Sequence, residues 1–292
     1  MPKQKVGLLG LGIMGSAMAG NLLRAGFTVV GYDPVAACRA RHRKAGGVIA
    51  ASAREVAGQA RILIASLPSA RALAGVAAEL SSGEKSKNIV IETSTLPIEV
   101  KEAARKRLAA AGVTLLDCPL SGTGAQARVK DLVVFGSGDR AAFRRTVPVL
   151  KGFSRAHYYI GKFGDGSKMK FAANLLVAIH NISTAEAIIL ARKSGLDPAR
   201  AVKILGDGAG ASRMLQVRGP LMVRRSYLPA TVTNEIWRKD MKIIGDFVRQ
   251  LGSPAPLFRA TRAVYNAAMA QGHARHDTAA VCAVLEKQGR KS

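Results

Sequence analysis

Aromatic residues make up only 5% of the 292-residue chain, with one tryptophan, and they are not interleaved with its basic residues. That scarcity argues against a stacking platform for single-stranded nucleic acid. Cysteine is nearly absent. Cys38, Cys118 and Cys282 are odd in number and unhelpfully spaced, which excludes a disulfide framework or a zinc knuckle. An uninterrupted apolar run of about 18 residues is also missing, and Met1-Pro2-Lys3-Gln4-Lys5 leads directly into an apolar stretch with no room for a signal h-region. A cytoplasmic protein without membrane association is the expectation. Acidic residues are few: 19 Asp and Glu face 44 Lys and Arg, for a formal charge of +25. The basic residues are scattered rather than gathered in a tail, so the charge permits non-specific, salt-sensitive attraction of polyanions without pointing to nucleic acid as a specific partner. With 48% hydrophobic residues the chain can bury a large core, and two domains are expected.

The most informative segment present is Gly10-Leu11-Gly12-Ile13-Met14-Gly15, directly after the apolar run Val6-Gly7-Leu8-Leu9. Gly10 suits a tight turn out of a strand, Gly12 a close backbone approach to a pyrophosphate, and Gly15 close packing of the next helix on a sheet. The amides opening that helix, around Ile13 and Met14, then face the phosphates. Residues 14 to 25 read as an amphipathic helix stopped by Gly26, and Phe27-Thr28-Val29-Val30 as a second strand. Asp33 follows at the strand end, about twenty residues beyond the glycines, where an acid accepts from the adenosine ribose and repels a 2′-phosphate. NAD is the expected cofactor. NADP stays open because Arg39, Arg41, His42, Arg43 and Lys44 follow on a helix expected over residues 35 to 44.

Helix and strand signals keep alternating. Ser52-Ala53-Arg54-Glu55 is a capping-box pattern, and residues 61 to 66 read as a buried strand running into Leu67-Pro68. Helices are expected over 70 to 80, 97 to 111 and 139 to 150, and strands over 88 to 92, 113 to 117 and 132 to 136. Such alternation predicts an α/β fold with a parallel, doubly wound sheet. Beyond about residue 161 the pattern turns helical, with a long apolar helix over 167 to 193 expected to be buried between domains or subunits. Further helices are expected near 197 to 206, 211 to 224, 234 to 251 and 257 to 271.

In a doubly wound sheet ligands bind outside the carboxyl ends of the strands, so the loops after Ser66, Glu92 and Asp117 are the candidates. Ser94 and Thr95 can approach a nicotinamide ring, and Ser121-Gly122-Thr123-Gly124 offers hydroxyls and amides suited to a carboxylate. Lys170 and Asn174, four residues apart, share a face of the long helix. Burial and neighbouring positive charge would lower the lysine pKa toward the range useful for proton exchange with a substrate hydroxyl, although a lysine there can also snorkel to solvent. Lys239-Asp240 can close a cleft or form an exposed ion pair. His273, His276 and Asp277 lack a further clustered ligand, so no metal site is expected. His180 is read as a packed core histidine.

These residues resemble the β-hydroxyacid dehydrogenases, the group that includes 3-hydroxyisobutyrate dehydrogenase and tartronate semialdehyde reductase. The resemblance covers nearly the whole chain. It rests on residues 7–15, Glu92-Thr93-Ser94-Thr95, Asp117-Cys118-Pro119-Leu120-Ser121-Gly122-Thr123, the stretch from Gly161 to Asn174, and Lys239-Asp240. It implies an NAD(P)-binding Rossmann domain over residues 1–162 and an all-helical substrate and oligomerisation domain over 163–292, in a homodimer or homotetramer. It also implies that Lys170 is the general acid/base with Asn174 beside it, and that Ser121, Gly122 and Thr123 cradle the carboxylate of a small substrate. Lys239 and Asp240 line the cleft near the nicotinamide, and Gly10, Gly12, Ile13, Met14, Gly15, Asp33, Leu67, Pro68, Ser94, Thr95 and Lys239 contact the cofactor. The implied activity is hydride transfer between nicotinamide and a short β-hydroxy acid or its semialdehyde. Two rivals are an imine reductase-like enzyme, which carries another residue in place of the lysine, and a non-catalytic chromatin- or nucleic-acid-binding homologue, which has lost it. Thr123, Ala173, Glu92 and Val232 depart from the family pattern, which bears on substrate shape and cofactor cover rather than on reaction class.

Overall fold

The computed structural model describes residues 4–83 and 85–289, so Met1, Pro2 and Lys3 of the lead-in lie outside the described residues. The chain divides into two compact units, residues 1–170 and 171–292. The first contains β1 (Lys5–Leu9), α1 (Ile13–Arg24), β2 (Thr28–Tyr32), α2 (Ala36–Lys44), β3 (Val48–Ile49), α3 (Ala53–Gln59), β4 (Ile62–Ala65), α4 (Ala70–Ser81), β5 (Ile89–Glu92), α5 (Ile98–Ala110), β6 (Thr114–Asp117), β7 (Leu120–Ser121), α6 (Gly124–Arg128), β8 (Val133–Ser137), α7 (Arg140–Phe153) and β9 (Ala156–Gly161). The strand order is β3-β2-β1-β4-β5-β6-β8-β7, with β9 on β8.

Strands β4 and β5 are buried along their whole length, as continuous apolar runs in a sheet covered on both faces should be. Successive residues serve opposite faces. Leu8 packs with Met18, Leu22, Phe143 and Phe153 from α1 and α7, whereas Leu9 packs with Val56, Leu73, Ala77 and Leu108 from α3, α4 and α5. The order reverses at β1, which is flanked by β2 and β4. The switch point therefore lies above Gly10, where the carboxyl ends of β1 and β4 open.

The sheet is not wholly parallel. Strand β8 runs antiparallel to β6 and β7, while β9 is parallel to β8. A parallel return from β6 would need a full crossover helix, and α6 has only 5 residues. Short or half-buried elements escaped the sequence reading: β3, β7, α6, β9 and, in the second unit, a last helix over Val281–Gln288. Gly26 lies one residue beyond the α1 cap, Ala25, with φ of +90°. Glu55 supports α3 differently from a capping box: Ser52 accepts from Glu55 N, but the Glu55 carboxylate takes the amide of Ala51. Helix α2 is held by His42, which is buried and meets the Val29 carbonyl at 3.2 Å. Its imidazole fills the space left by two glycines: a Cβ on Gly31 would lie 2.8 Å from His42, and one on Gly47 2.1 Å.

Helix α8 (Asp165–Lys193) starts in the first unit and continues into the second, which also holds α9 (Pro198–Asp207), α10 (Arg213–Arg224), α11 (Asn234–Gln250), α12 (Pro256–Ala270) and α13 (Val281–Gln288). Its residues Ala178, Ile182, Ala185 and Ile188 are buried, but Leu176 and Leu190 are 51% and 69% exposed. Burial of α8 is thus one-sided within this chain. By length and composition alone it is also long and apolar enough to cross a membrane, with a mean hydropathy of 1.4 over its most apolar window. His180 is half-buried rather than fully packed. The second unit has a polar centre. Asn181 Nδ2 donates to Tyr265 and Thr278, and the buried Arg218 pairs with the buried Asp277 at 3.2 Å. Asp277 Oδ2 accepts from the amide and hydroxyl of Thr231.

Candidate active site

The glycine loop has the shape its sequence predicts. Gly10 has φ of +94°, and a Cβ there would meet the Ser66 carbonyl at 2.2 Å; a Cβ on Gly15 would lie 2.0 Å from the Gly10 carbonyl. Around Gly12 a Cβ would meet nothing within 4 Å, so its backbone borders open space. Gly12 is also the N-cap of α1, with no side-chain cap and no acidic residue in the first turn. Amides at Ile13, Met14 and Gly15 thus begin a helix whose positive end is left for an anion. These residues fit the pyrophosphate of a dinucleotide.

Asp33 is buried and oriented by backbone: Oδ2 accepts from Leu11 N at 2.7 Å and Oδ1 from Val35 N at 2.8 Å. Its carboxylate therefore ties the glycine loop to the end of β2. Each oxygen has a second lone pair left for a ribose hydroxyl. The Arg39 guanidinium is fixed nearby on the carbonyls of Asp33 and Pro34, at 2.6 and 2.9 Å. Of the basic residues that keep NADP open, Arg39 is the one held at the strand end, where a 2′-phosphate would lie.

The loops after β4 and β5 are tied together. Ser94 Oγ accepts from Leu67 N, and Ser94 N donates to Glu92 Oε1, both at 2.9 Å. Pro68 follows Leu67, and Thr95 is half-buried. After β6, Ser121 is half-buried at the end of β7, and Gly122 has φ of +135° with no room for a Cβ beside Leu132. Thr123 is engaged in a capping box: its amide donates to Gln126 Oε1, and its hydroxyl accepts from Gln126 N. Its hydrogen-bonding groups hold α6.

Lys170 is 8% exposed and lies three residues beyond Ser167, which is fastened to Asp117 through both its amide and its hydroxyl. Asn174 lies one helical turn further along α8. Within the second unit Asn174 Nδ2 donates to Asp240 Oδ2 at 3.1 Å, and Lys239 pairs with Asp240 Oδ1 at 3.2 Å. These three polar side chains form one group, which joins Asn174 to a pair that the sequence reads separately. His273 and His276 meet through their Nδ1 atoms at 2.7 Å, while Asp277 turns toward Arg218. Burial, then the neighbouring His276 and Lys287, holds His273 below the usual histidine range.

Lys101 is the residue sequence reasoning missed. It is fully buried, with Nζ 2.6 Å from Glu92 Oε2 and 2.7 Å from Asp117 Oδ1. The available signal was its place on the inward stripe of α5 with Ala104 and Leu108, where a cation is costly without partners.

A doubly wound sheet with this glycine cradle defines a dinucleotide-binding protein. Residues 5–161 match the family described as the NAD binding domain of 6-phosphogluconate dehydrogenase. Residues 164–285 match that described as the NAD-binding of NADP-dependent 3-hydroxyisobutyrate dehydrogenase. Over its length the chain is similar to L-threonate dehydrogenase from Cupriavidus necator, at 31% identity covering 97% of this chain and 96% of the relative. It is also similar to 2-hydroxy-3-oxopropionate reductase from Escherichia coli, at 32% identity covering 97% of each. A crystal structure of 3-hydroxyisobutyrate dehydrogenase from Salmonella typhimurium superposes with a TM-score of 0.86 at 29% identity, covering 97% of this chain and 100% of that one. The chain belongs to the β-hydroxyacid dehydrogenase family, whose members are NAD(P)-dependent oxidoreductases.

Proposed function

We propose that this enzyme interconverts a short β-hydroxy acid and its semialdehyde, with Lys170 as general acid/base. The observation that carries this reading is a buried lysine, Lys170, on a helix whose first turn is pinned to the carboxyl end of β6. In the oxidative direction its amine takes the hydroxyl proton as the carbonyl forms, and in reduction its ammonium returns it. Asn174, held by Asp240, orients the lysine or the substrate hydroxyl. Ser121, Gly122 and Thr123 receive the carboxylate, Thr123 through its hydroxyl proton, since its hydroxyl oxygen only accepts in the capping box, with Lys239 and Asp240 lining the cleft. When bound, NAD(P) supplies the hydride acceptor or donor. Gly10, Gly12, Ile13, Met14 and Gly15 hold its pyrophosphate, Asp33 its ribose, and Leu67, Pro68, Ser94, Thr95 and Lys239 its nicotinamide end.

In this reading residues 1–162 serve cofactor binding and 163–292 serve substrate binding and assembly. The exposed apolar residues Leu176 and Leu190 on α8 support a homodimer or homotetramer. The cytoplasm is the proposed compartment, and a small carboxylate rather than nucleic acid the proposed partner.

The test follows reduced-nicotinamide absorbance while the protein is offered short β-hydroxy acids, their semialdehydes and cyclic imines. Turnover of hydroxy acids and semialdehydes is expected; reduction of imines alone would overturn the reading. The same assay tests cofactor choice. NAD should be preferred, and Asp33→Asn, which keeps one acceptor for the loop amides but removes the charge, should lower kcat/KM for NAD about tenfold while raising that for NADP. A native preference for NADP would mean that Arg39 outweighs Asp33.

A further inference from the structure

The loop bearing Ser94 and the first turn of the lysine-bearing helix are joined through one buried cation. From Lys101 one arm runs to Glu92 Oε2 at 2.6 Å; Glu92 Oε1 accepts from Ser94 N, and Ser94 Oγ accepts from Leu67 N. The other arm runs to Asp117 Oδ1 at 2.7 Å; Asp117 accepts from Ser167 Oγ and Ser167 N, each at 2.8 Å. Ser137 completes this arm, accepting from Gly166 N at 2.9 Å and donating to the Asp117 carbonyl at 3.1 Å. Lys101, Glu92, Asp117 and Ser137 are completely buried and Ser167 nearly so. The helix start is also seated sterically: a Cβ on Gly166 would lie 2.3 Å from the Phe135 carbonyl and 2.7 Å from that of Asp117.

We infer that Lys101, with Glu92 and Asp117, is a positioning device that fixes the Ser94 loop and the Lys170 turn against one another. It touches no reactant. A buried ion group contributes little to net stability compared with an apolar replacement, so what this one adds is the tie between the segments that end on it. Here those segments carry the proposed nicotinamide contacts and the proposed proton carrier, whose relative placement governs a transfer rate. Burial alone would pull the Lys101 ammonium down, yet the two carboxylates and their hydrogen bonds outweigh it and hold its pKa above the ordinary lysine value. Lys101 therefore stays a cation throughout the neutral range.

The inference rests on the proposed role of Lys170, and its test separates the two. In a Glu92→Gln, Lys101→Met, Asp117→Asn triple variant the charges are gone while acceptors for Ser94 and Ser167 remain. Two quantities are read: kcat against KM in the assay above, and hydrogen exchange at the amides of Leu67, Ser94, Gly166 and Ser167 in the cofactor-free protein. The expected result is a kcat lower by about a hundredfold with KM within about threefold. Protection should fall together at both ends by about tenfold or more, while β1 amides are unchanged. Native exchange at those four amides would overturn the inference whatever the activity, and native kcat would overturn it too. Should the triple variant fail to fold, Ser167→Ala keeps every charge. It should expose the Gly166 and Ser167 amides and lower kcat with little change in KM, and Ser167→Thr should restore both. If Lys170→Ala still turns over, the acid/base reading fails while the exchange data still decide the device. If Lys170→Ala is inactive and the triple variant behaves as native, the device alone fails.

Discussion

Lys170→Ala is expected to lower kcat by about a thousandfold, the loss that follows removal of a positioned acid/base group. Cofactor affinity should hardly move, because the glycine cradle and Asp33 lie on other segments. Lys170 is 8% exposed, and its neighbour Lys168 is engaged with Asp165 at 2.9 Å, so Lys168 is not placed to substitute for it. Lys170→Arg should be nearly as inactive, since a guanidinium does not release a proton in the working range. The check is kcat for the native, alanine and arginine forms beside nicotinamide binding followed by fluorescence titration. A kcat for the alanine form within tenfold of native would remove Lys170 from the mechanism.

The second large effect concerns stability. Asp277→Ala should destabilise the second unit by about 3–5 kcal/mol, because it leaves Arg218 buried without its counter-charge. Arg218 is 3% and Asp277 0% exposed. The same substitution strands the Thr231 and Ala279 amides that Asp277 accepts from. Thermal or urea unfolding measures it, with an expected fall in Tm of roughly 10 °C. The pH dependence has a definite sign. Burial alone would raise the Asp277 carboxyl, but Arg218 and the Thr231 and Ala279 hydrogen bonds outweigh it and hold it below the usual aspartate range. Its stabilisation is complete above the unfolded pKa of about 3.9 and is lost as pH falls through the lower folded value. The native protein should therefore lose stability over that acid range more steeply than Asp277→Ala does.

The dinucleotide half was legible because local chemistry and fold demanded the same residues. Gly10 needs a positive φ, Gly15 has no room for a Cβ, and Asp33 terminates a buried strand. Elements that draw their stability from one neighbour were not legible. Strand β7 has 2 residues and α6 has 5, both too short to show a period. Strand β9 exists through its pairing with β8. The direction of β8 was hidden for the same reason, since it depends on how the short segment before it turns. At the site, residue types named Lys170 and Asn174, but the hydrogen bond from Asn174 to Asp240 spans 66 positions and left no local trace. Lys101 was invisible because a lysine on a helix usually marks solvent, and its two partners lie on separate strands.

The packing of His42 into the hollows at Gly31 and Gly47 bears on which positions of α2 are open to change. Histidine and glycines are complementary in size, so drift at one position is disallowed unless the others follow, and the backbone of α2 inherits that constraint. The outward positions of the same helix carry none of it. Arg41, Arg43 and Lys44 are exposed and could be exchanged for neutral or acidic residues without displacing the end of β2. Selection would then have a panel of substitutable charges on a fixed mount, open to retuning the field on this side of the first unit with little structural repair.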